Sequence, residues 1–192
     1  QALLLSNKMN KQVDRLVALV KDLLDVTKIQ EGKIELNFKE FNIDELILEV
    51  VEMVQTASKK NGIVTQLGAG IIVLADRERI EQVITNLLGN AIKYSSHAEK
   101  VIVSSTITNT SVKVCVQDFG IGIDDDMQQK VFDRFFRVQD KYTKALPGMG
   151  LGLYISAEIV KKHAGSIEVS SKKGEGATFC FTIPLPVSKK DK

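Results

Sequence analysis

The stretch Arg77–Tyr94, RERIEQVITNLLGNAIKY, decides how the rest of the chain is read. Its apolar residues, Ile80, Val83, Ile84, Leu87, Leu88, Ala91 and Ile92, recur at the three- and four-residue steps of a helix with one face on a core. At about 100° per residue, Asn86, Asn90 and Lys93 fall within roughly 60° of one another, off that face. Asparagine competes for backbone groups and is a mediocre helix former, so two of them one turn apart need a reason. Solvation or capping would be one. Presenting two amides and an ammonium to a ligand would be another, and the remainder of the chain decides between them.

The surroundings are those of an ordinary globular protein. Of 192 residues, 44% are hydrophobic and 26% charged, enough to bury a core in one domain, or in one domain plus an appended element. A net charge of +2, with no basic block before Ser188–Lys192, gives no warrant for a nucleic-acid partner. That tail, 188–192, is expected to be disordered. No apolar run is long enough to span a bilayer and no signal-peptide pattern is present. A cytoplasmic location follows as the expectation, either of a soluble protein or of the cytoplasmic part of a membrane-bound sensor. Cys115 and Cys180 each sit in a strand-like apolar run without metal-ligand spacing, which predicts buried free thiols in a reducing compartment.

Outward from the opening helix, the chain alternates elements of both kinds. Asn7–Gln30 carries a heptad seam of Met9, Val13, Leu16, Val20, Leu23 and Thr27, ended by Gly32. Such a helix packs either on a partner helix or on its own domain. Lys33–Phe41 alternates as a strand, Asp44 is positioned to cap a helix Glu45–Lys60, and two short strands, Ile63–Leu67 and Ile71–Ala75, flank a glycine-rich turn. Asp76 caps the opening helix. A hairpin of Lys100–Thr108 and Val112–Gln117 follows, then a short helix from Asp124 to about Phe132 and a charged, aperiodic stretch over 133–147. A helix Leu151–His163 and strands Ser166–Ser171 and Ala177–Pro184 complete the chain. The pattern predicts an α+β fold, a two-layer sandwich in which a mixed, mostly antiparallel sheet is backed by three helices and preceded by a long amphipathic helix.

Three glycine clusters lie downstream: Gly120 and Gly122; Gly148, Gly150 and Gly152; Gly174 and Gly176. Each alone is turn punctuation. The second directly precedes a helix, where backbone N–H groups favour a phosphate. Neither a P-loop nor a Rossmann fingerprint is present. Asp118 ends a strand before two glycines; it either forms a turn or accepts a hydrogen bond from an exocyclic amine such as adenine N6. The DFG triplet there lacks the VAIK lysine and HRD loop of eukaryotic-type protein kinases. Phe132, Phe135 and Phe136 form either the core side of a short helix or an aromatic latch for a lid, with Arg137, Lys141 and Lys144 able to bring charge to phosphates.

Together, NLLGNAIKY, DFGIGI, FDRFFRV, GMGLGLYI and GEGATF resemble, in order and spacing, the N, G1, F, G2 and G3 boxes of the sensor histidine kinases. These kinases belong to the superfamily shared with gyrase, Hsp90 and MutL (the GHKL, or Bergerat, fold). The resemblance covers about Phe41 to Pro184. It implies ATP and Mg²⁺ as ligands, with Asn90 as the metal-coordinating asparagine. Asn86 and Lys93 would lie near the phosphates and Tyr94 against adenine. Asp118 would accept from adenine N6, with Gly120, Gly122 and Ile123 close by and Thr178 near the base through water. Gly148, Gly150, Leu151 and Gly152 would offer backbone donors to the phosphates. Phe136 and Arg137 would belong to a lid spanning about Gly122–Gly148.

Position 86 bears on the reaction. Hydrolytic members of the superfamily carry a glutamate there to activate water; an asparagine cannot act as a general base. The resemblance therefore favours a protein-histidine kinase over a GHKL-type ATPase, with a nucleotide-independent dimerisation module as the remaining alternative. The acceptor histidine of such kinases lies in an HE-L/F-RTP context, which neither His97 nor His163 matches. The heptad helix resembles the second helix of their dimerisation hairpin. The expected organisation is thus 1–32 as that helix, 33–187 as the ATP-binding catalytic domain and 188–192 as a tail, with the acceptor helix before Gln1. The implied partners are that phosphoacceptor helix, a second copy of the kinase and a response-regulator receiver domain.

Overall fold

A computed structural model of the chain describes residues 2–57, 62–95, 100–138 and 148–186. It divides into two compact units, residues 1–35 and 36–192. The first is helix α1, Ala2–Gln30. Gly32 stops it in the left-handed region at φ 67°, while the Lys33 N–H returns to the Lys28 carbonyl at 2.9 Å, satisfying a carbonyl at the helix end. Met9, Val13, Leu16, Val20 and Leu23, the heptad seam, are exposed.

The second unit has two layers. Its sheet runs β2 (Gly62–Gln66), β4 (Lys100–Thr108), β5 (Ser111–Asp118), β7 (Gly176–Pro184), β6 (Ile167–Lys172) in spatial order. Among the described strands of this sheet, only the β2–β4 pair is parallel. Along β5, Val112, Val114, Val116 and Asp118 are buried while the alternate residues are half-buried, so the pleat gives the sheet one covered and one open face. The covering helices are α2 (Ile43–Ala57), α3 (Arg77–Tyr94) and α4 (Gly152–Lys162). The expected α+β architecture is therefore the observed one. In α3 the apolar spacing translates directly into burial: Ile80, Val83, Ile84, Leu87, Leu88 and Ala91 are within the core, the larger side chains contributing about 1.5–3 kcal/mol each of gross burial energy. Ile92 is only half-buried.

Three expectations are revised. The strand expected over Lys33–Phe41 is four residues, β1 (Lys39–Asn42), because only these find a ladder partner, β3 (Ile72–Ala75), in a separate antiparallel pair. Asp44 does not cap α2. Asn42 does, its side-chain oxygen accepting the Asp44 N–H at 3.0 Å while its amide N–H donates to Glu45 Oε1 at 3.1 Å, an asparagine N-cap held by a side-chain contact. Asp44 is instead buried, where it accepts the N–H groups of Gly70 and Ile71 at 3.1 Å each and the Ser105 hydroxyl, turning the chain from β2 into β3. Finally, the helix expected from Asp124 is two 3-10 turns, Asp125–Met127 and Lys130–Phe132.

The cysteines are a fourth correction. Cys115 and Cys180 are directly opposite in the β5–β7 ladder and disulfide-bonded, with Cα atoms 4.1 Å apart. Separated by 65 residues, they meet only because β7 inserts beside β5.

Candidate functional site

α3 is fixed at both ends before its polar face is considered. Asp76 accepts the Arg79 N–H at 3.2 Å as N-cap, and the Ser95 hydroxyl donates to the Ala91 carbonyl at 2.5 Å. The Asp76 N–H in turn donates to His163 Nε2 at 3.0 Å. With its lone pair so used, Nε2 carries no proton. Nδ1 must be the N–H donor, and it lies 2.8 Å from the Ile159 carbonyl. His163 is 4% exposed, and burial pushes its pKa below the ordinary histidine value, against the opposing effects of the Ile159 carbonyl and the nearby Asp76 carboxylate. It is a packed latch between α3 and α4. His97 lies outside the described residues.

On the polar face, the two asparagines differ. Asn86 Nδ2 lies 3.3 Å from both the Gly152 carbonyl and the Ser156 hydroxyl, which ties α3 to the start of α4. Asn90, one turn on and half-buried, makes no side-chain hydrogen bond to the described residues. Lys93 Nζ lies 3.1 Å from the Tyr94 hydroxyl and 4.7 Å from that ring's centroid. It also lies 3.2 Å from where a Cβ on Gly148 would stand, bringing the second glycine cluster beside the asparagine helix.

Asp118 ends β5 pointing to the covered face, 5% exposed. Burial pushes its carboxyl above the usual carboxylate range, and the Gly120 and Ala177 N–H groups pull it partly back. Its Oδ1 accepts the Gly120 N–H at 2.9 Å. A Cβ on Gly120 would stand 2.2 Å from the Tyr94 carbonyl oxygen, and one on Gly176 would stand 2.1 Å from the Asp118 carbonyl oxygen. The close approach that these glycines permit is thus of the protein's own backbone: Gly120 docks the end of α3, and Gly176 docks β7 behind Asp118. The Ile121 N–H adds a contact of 3.4 Å to the same Tyr94 carbonyl.

Ser171, a residue with no signal in the sequence, joins the first and third glycine clusters. Its hydroxyl accepts the Ile123 N–H at 2.8 Å and donates to the Gly176 carbonyl at 2.6 Å, while its carbonyl accepts from Gln128 at 2.8 Å. Gly122 packs against the Lys172 carbonyl in the same corner. Thr178 is not brought to Asp118. The ladder pairs Thr178 with Gln117 and Ala177 with Asp118, so the pleat directs Thr178 to the open face, and Ala177 and Ser171 share the row of Asp118.

The aromatic segment is anchored at one end and exposed at the other. The Phe132 ring meets Phe179 of β7 edge-on, centroids 6.2 Å apart. Phe135 is 52% exposed in the left-handed region at φ 64°, where its N–H donates to the Gly150 carbonyl at 3.0 Å. Phe136 and Arg137 are half-buried beside Gly150, and Leu151 is buried at the start of α4. Lys141 and Lys144, with residues 139–147 of the expected lid, lie outside the described residues, as does the tail 188–192. The structure thus brings the first four motifs to α3 directly or through α4's N-terminus, and brings the third glycine cluster to Asp118.

Residues 75–187 match the model of the histidine kinase-, DNA gyrase B- and HSP90-like ATPase family. The sensor-like histidine kinase SenX3 of Mycolicibacterium smegmatis is 33% identical over 181 residues, covering 93% of this chain and 47% of SenX3. Full-length ShkA, crystallised in complex with AMPPNP, superposes with a TM-score of 0.76 at 28% identity, over 89% of this chain and 36% of that one. The histidine kinase ThkA, in complex with the response regulator TrrA, gives a TM-score of 0.73 at 31% identity, over 96% and 51%. The chain therefore spans less than half the length of SenX3 and about half of that ThkA chain. No helix among the described residues is long and apolar enough to cross a membrane. With four motifs gathered at one asparagine helix and the fifth docked behind Asp118, the chain belongs to the family of histidine kinase-, DNA gyrase B- and HSP90-like ATPases, as the catalytic region of a sensor histidine kinase.

Proposed function

We propose that the chain binds Mg·ATP and passes the γ-phosphoryl to an imidazole nitrogen on a phosphoacceptor helix, within two-component signalling in the cytoplasm. The observation that carries the reading is the division of labour on α3. Asn86 is committed to Gly152 and Ser156, whereas Asn90 keeps its amide oxygen clear of hydrogen bonds to the described residues, beside Lys93 and Gly148. An amide oxygen is a hard ligand suited to Mg²⁺, which ordinarily keeps water and phosphate oxygens for its other positions. The described residues contain no cluster of three His, Cys, Asp or Glu that could hold a metal, so Asn90 with the nucleotide's own phosphates is the donor set that fits. When bound, the ion would neutralise charge on the phosphates.

The chain's own residues do the rest. Asp118 Oδ1 accepts the Gly120 N–H, and Oδ2 is the oxygen assigned to the exocyclic amine of adenine. Tyr94, its carbonyl fixed to the Gly120–Ile121 corner, sets its ring toward the base. Lys93 and the N–H groups of Gly148–Gly152 receive the phosphates at the N-terminus of α4. Phe136 and Arg137 belong to the segment that closes over them. No carboxylate occupies position 86 to activate water, so the γ-phosphoryl is held for a protein acceptor. The exposed seam of α1 supports a second copy of the kinase as partner, and likeness to ThkA supports a response regulator as the next acceptor.

Titration of the full chain with an ATP analogue tests this. Affinity should depend on Mg²⁺, and Asn90→Ala should remove that dependence. Incubation with γ-labelled ATP should place no label on the chain alone, and should label a separately supplied acceptor-helix hairpin of a related kinase. Steady release of inorganic phosphate, abolished by Asn90→Ala, would instead mark a hydrolytic enzyme.

A further inference from the structure

Alternation places Cys115 and Cys180 away from the helices. Their neighbours Val114, Val116, Phe179 and Phe181 fill the covered face, so the two sulfurs lie on the open one, in a row that reads Ser104, Cys115, Cys180, Glu168 across four strands. The Lys113–Glu168 ion pair, at 2.7 Å, reaches from β5 to β6 across β7 beside this row. Cys180 is 7% exposed, whereas Cys115 is only half-buried. The sulfur within reach of a small thiol is therefore that of Cys115. The bond also has a defined position relative to the nucleotide site. Three residues along β5 from Cys115 stands Asp118, and three residues back along β7 from Cys180 stands Ala177, its ladder partner.

We infer that Cys115 and Cys180 are a reversible dithiol–disulfide pair whose closure tightens the β5–β7 end of the sheet around Asp118 and strengthens ATP binding. The coupling to ATP rests on the function proposed above. Two thiols opposed in an antiparallel ladder cannot approach as bonded sulfurs do, because they must keep van der Waals separation. Opposite Cα atoms in a non-hydrogen-bonded pair ordinarily stand about 4.5 Å apart, against 4.1 Å here. Reduction thus relaxes the two strands one and a half pleats before the buried carboxylate. The bond lies on the sheet face that the helices leave open, with Cys180 buried and Cys115 half-buried, so exchange with soluble thiols proceeds through Cys115. Disulfides in reducing compartments are characteristically transient and redox-sensing.

Closure requires an oxidant, here a low-molecular-weight disulfide. The Cys115 thiolate attacks one sulfur of that disulfide, releasing the first small thiol and leaving a mixed disulfide on Cys115. The Cys180 thiolate then attacks the Cys115 sulfur, releasing the second. Both protein thiol protons end on the two small thiols, and the electron pair lost by the cysteines reduces the oxidant.

The test uses the full chain, treated with glutathione disulfide or with dithiothreitol and freed of reagent. Intact mass should differ by two hydrogens and the reduced form should show two titratable thiols. The oxidised form should melt higher and bind the Mg·ATP analogue about fivefold or more tightly. The Cys115→Ser/Cys180→Ser variant should behave as the reduced form under both treatments. A bond that glutathione disulfide cannot make, or that dithiothreitol cannot open, overturns the redox pair. Equal affinities in two forms that interconvert overturn the coupling alone. Absence of nucleotide binding in both forms overturns the ATP reading and the coupling with it, while mass and melting still report the redox pair separately.

Discussion

Replacing His163 with leucine tests how the asparagine helix is held. The imidazole accepts the buried Asp76 N–H through Nε2 and donates from Nδ1 to Ile159, and its ring lies 5.2 Å from that of Phe38 at a tilt of 55°. Leucine fills much of the volume but cannot accept. Leaving the Asp76 N–H buried without a partner costs about 1–3 kcal/mol, and losing the aromatic contact costs about 0.5–1.5 kcal/mol. The sum, roughly 1.5–4.5 kcal/mol, corresponds to a melting point lower by roughly 3–18 °C for a chain of this length. Urea unfolding followed by circular dichroism at pH 7.5 and pH 5.5 measures it.

The acid limb supplies a second readout on the wild-type chain. Burial lowers the folded-state pKa of His163. As pH falls below about 6.5 the unfolded chain takes up a proton that the folded chain refuses, so stability drops by up to about 1.4 kcal/mol per pH unit until the folded pKa is passed. Above that window the contribution is complete and flat. His163→Leu should lack this component of the slope. A variant within about 0.5 kcal/mol of wild type at pH 7.5, or one with an unchanged acid slope, would refute the latch.

Two further substitutions probe the Asp118–Gly120 corner, where the base is proposed to bind. Asp118→Asn keeps an oxygen for the Gly120 N–H but places an NH₂ where the second carboxylate oxygen stands, donor against the adenine amine. Analogue affinity should fall by about 1.5–3 kcal/mol, read by calorimetry. Stability at neutral pH should hold or rise, because the folded-state pKa of Asp118 is raised: stability from its protonated form is present below about pH 4 and is lost as pH rises through the folded value. A clear loss of stability at pH 7 would contradict this account. Gly120→Ala drives a Cβ to 2.2 Å from the Tyr94 carbonyl oxygen, and the overpacking should cost about 1–3 kcal/mol in thermal unfolding; a melting point equal to wild type would show that the corner gives way freely.

The elements that carry the site were legible for a local reason. A helix such as α3 is specified by a three-to-four-residue periodicity, an Asp76 cap and a polar end, all within twenty residues, and its observed bounds are those expected. The five motifs are likewise short strings with their own turn chemistry. Thr178 shows the limit of this reading. Its position in the string GEGATF is local, but which face it points to depends on the register of β7 against β5, and a shift of one residue exchanges the two faces. The same holds for Ser171, an unremarkable strand serine that becomes a junction only when β6 pairs with β7.

What the amino-acid sequence determined by itself was therefore the kind of molecule: two-layer α+β, with Asn86, Asn90 and Lys93 off the apolar face of one helix and three glycine turns beyond it. Tertiary structure alone decided which groups meet. It gave Asn86 to Gly152 and left Asn90 clear of such bonds to the described residues, moved Asp44 from a cap to a buried bridge, and set Gly120 against Tyr94. It also joined Cys115 to Cys180 across 65 residues. Periodicity and caps are read over a few residues and survive in the string. Strand order, register and face are choices among competing long-range pairings, made by burial of the whole core, and only the folded chain carries that information.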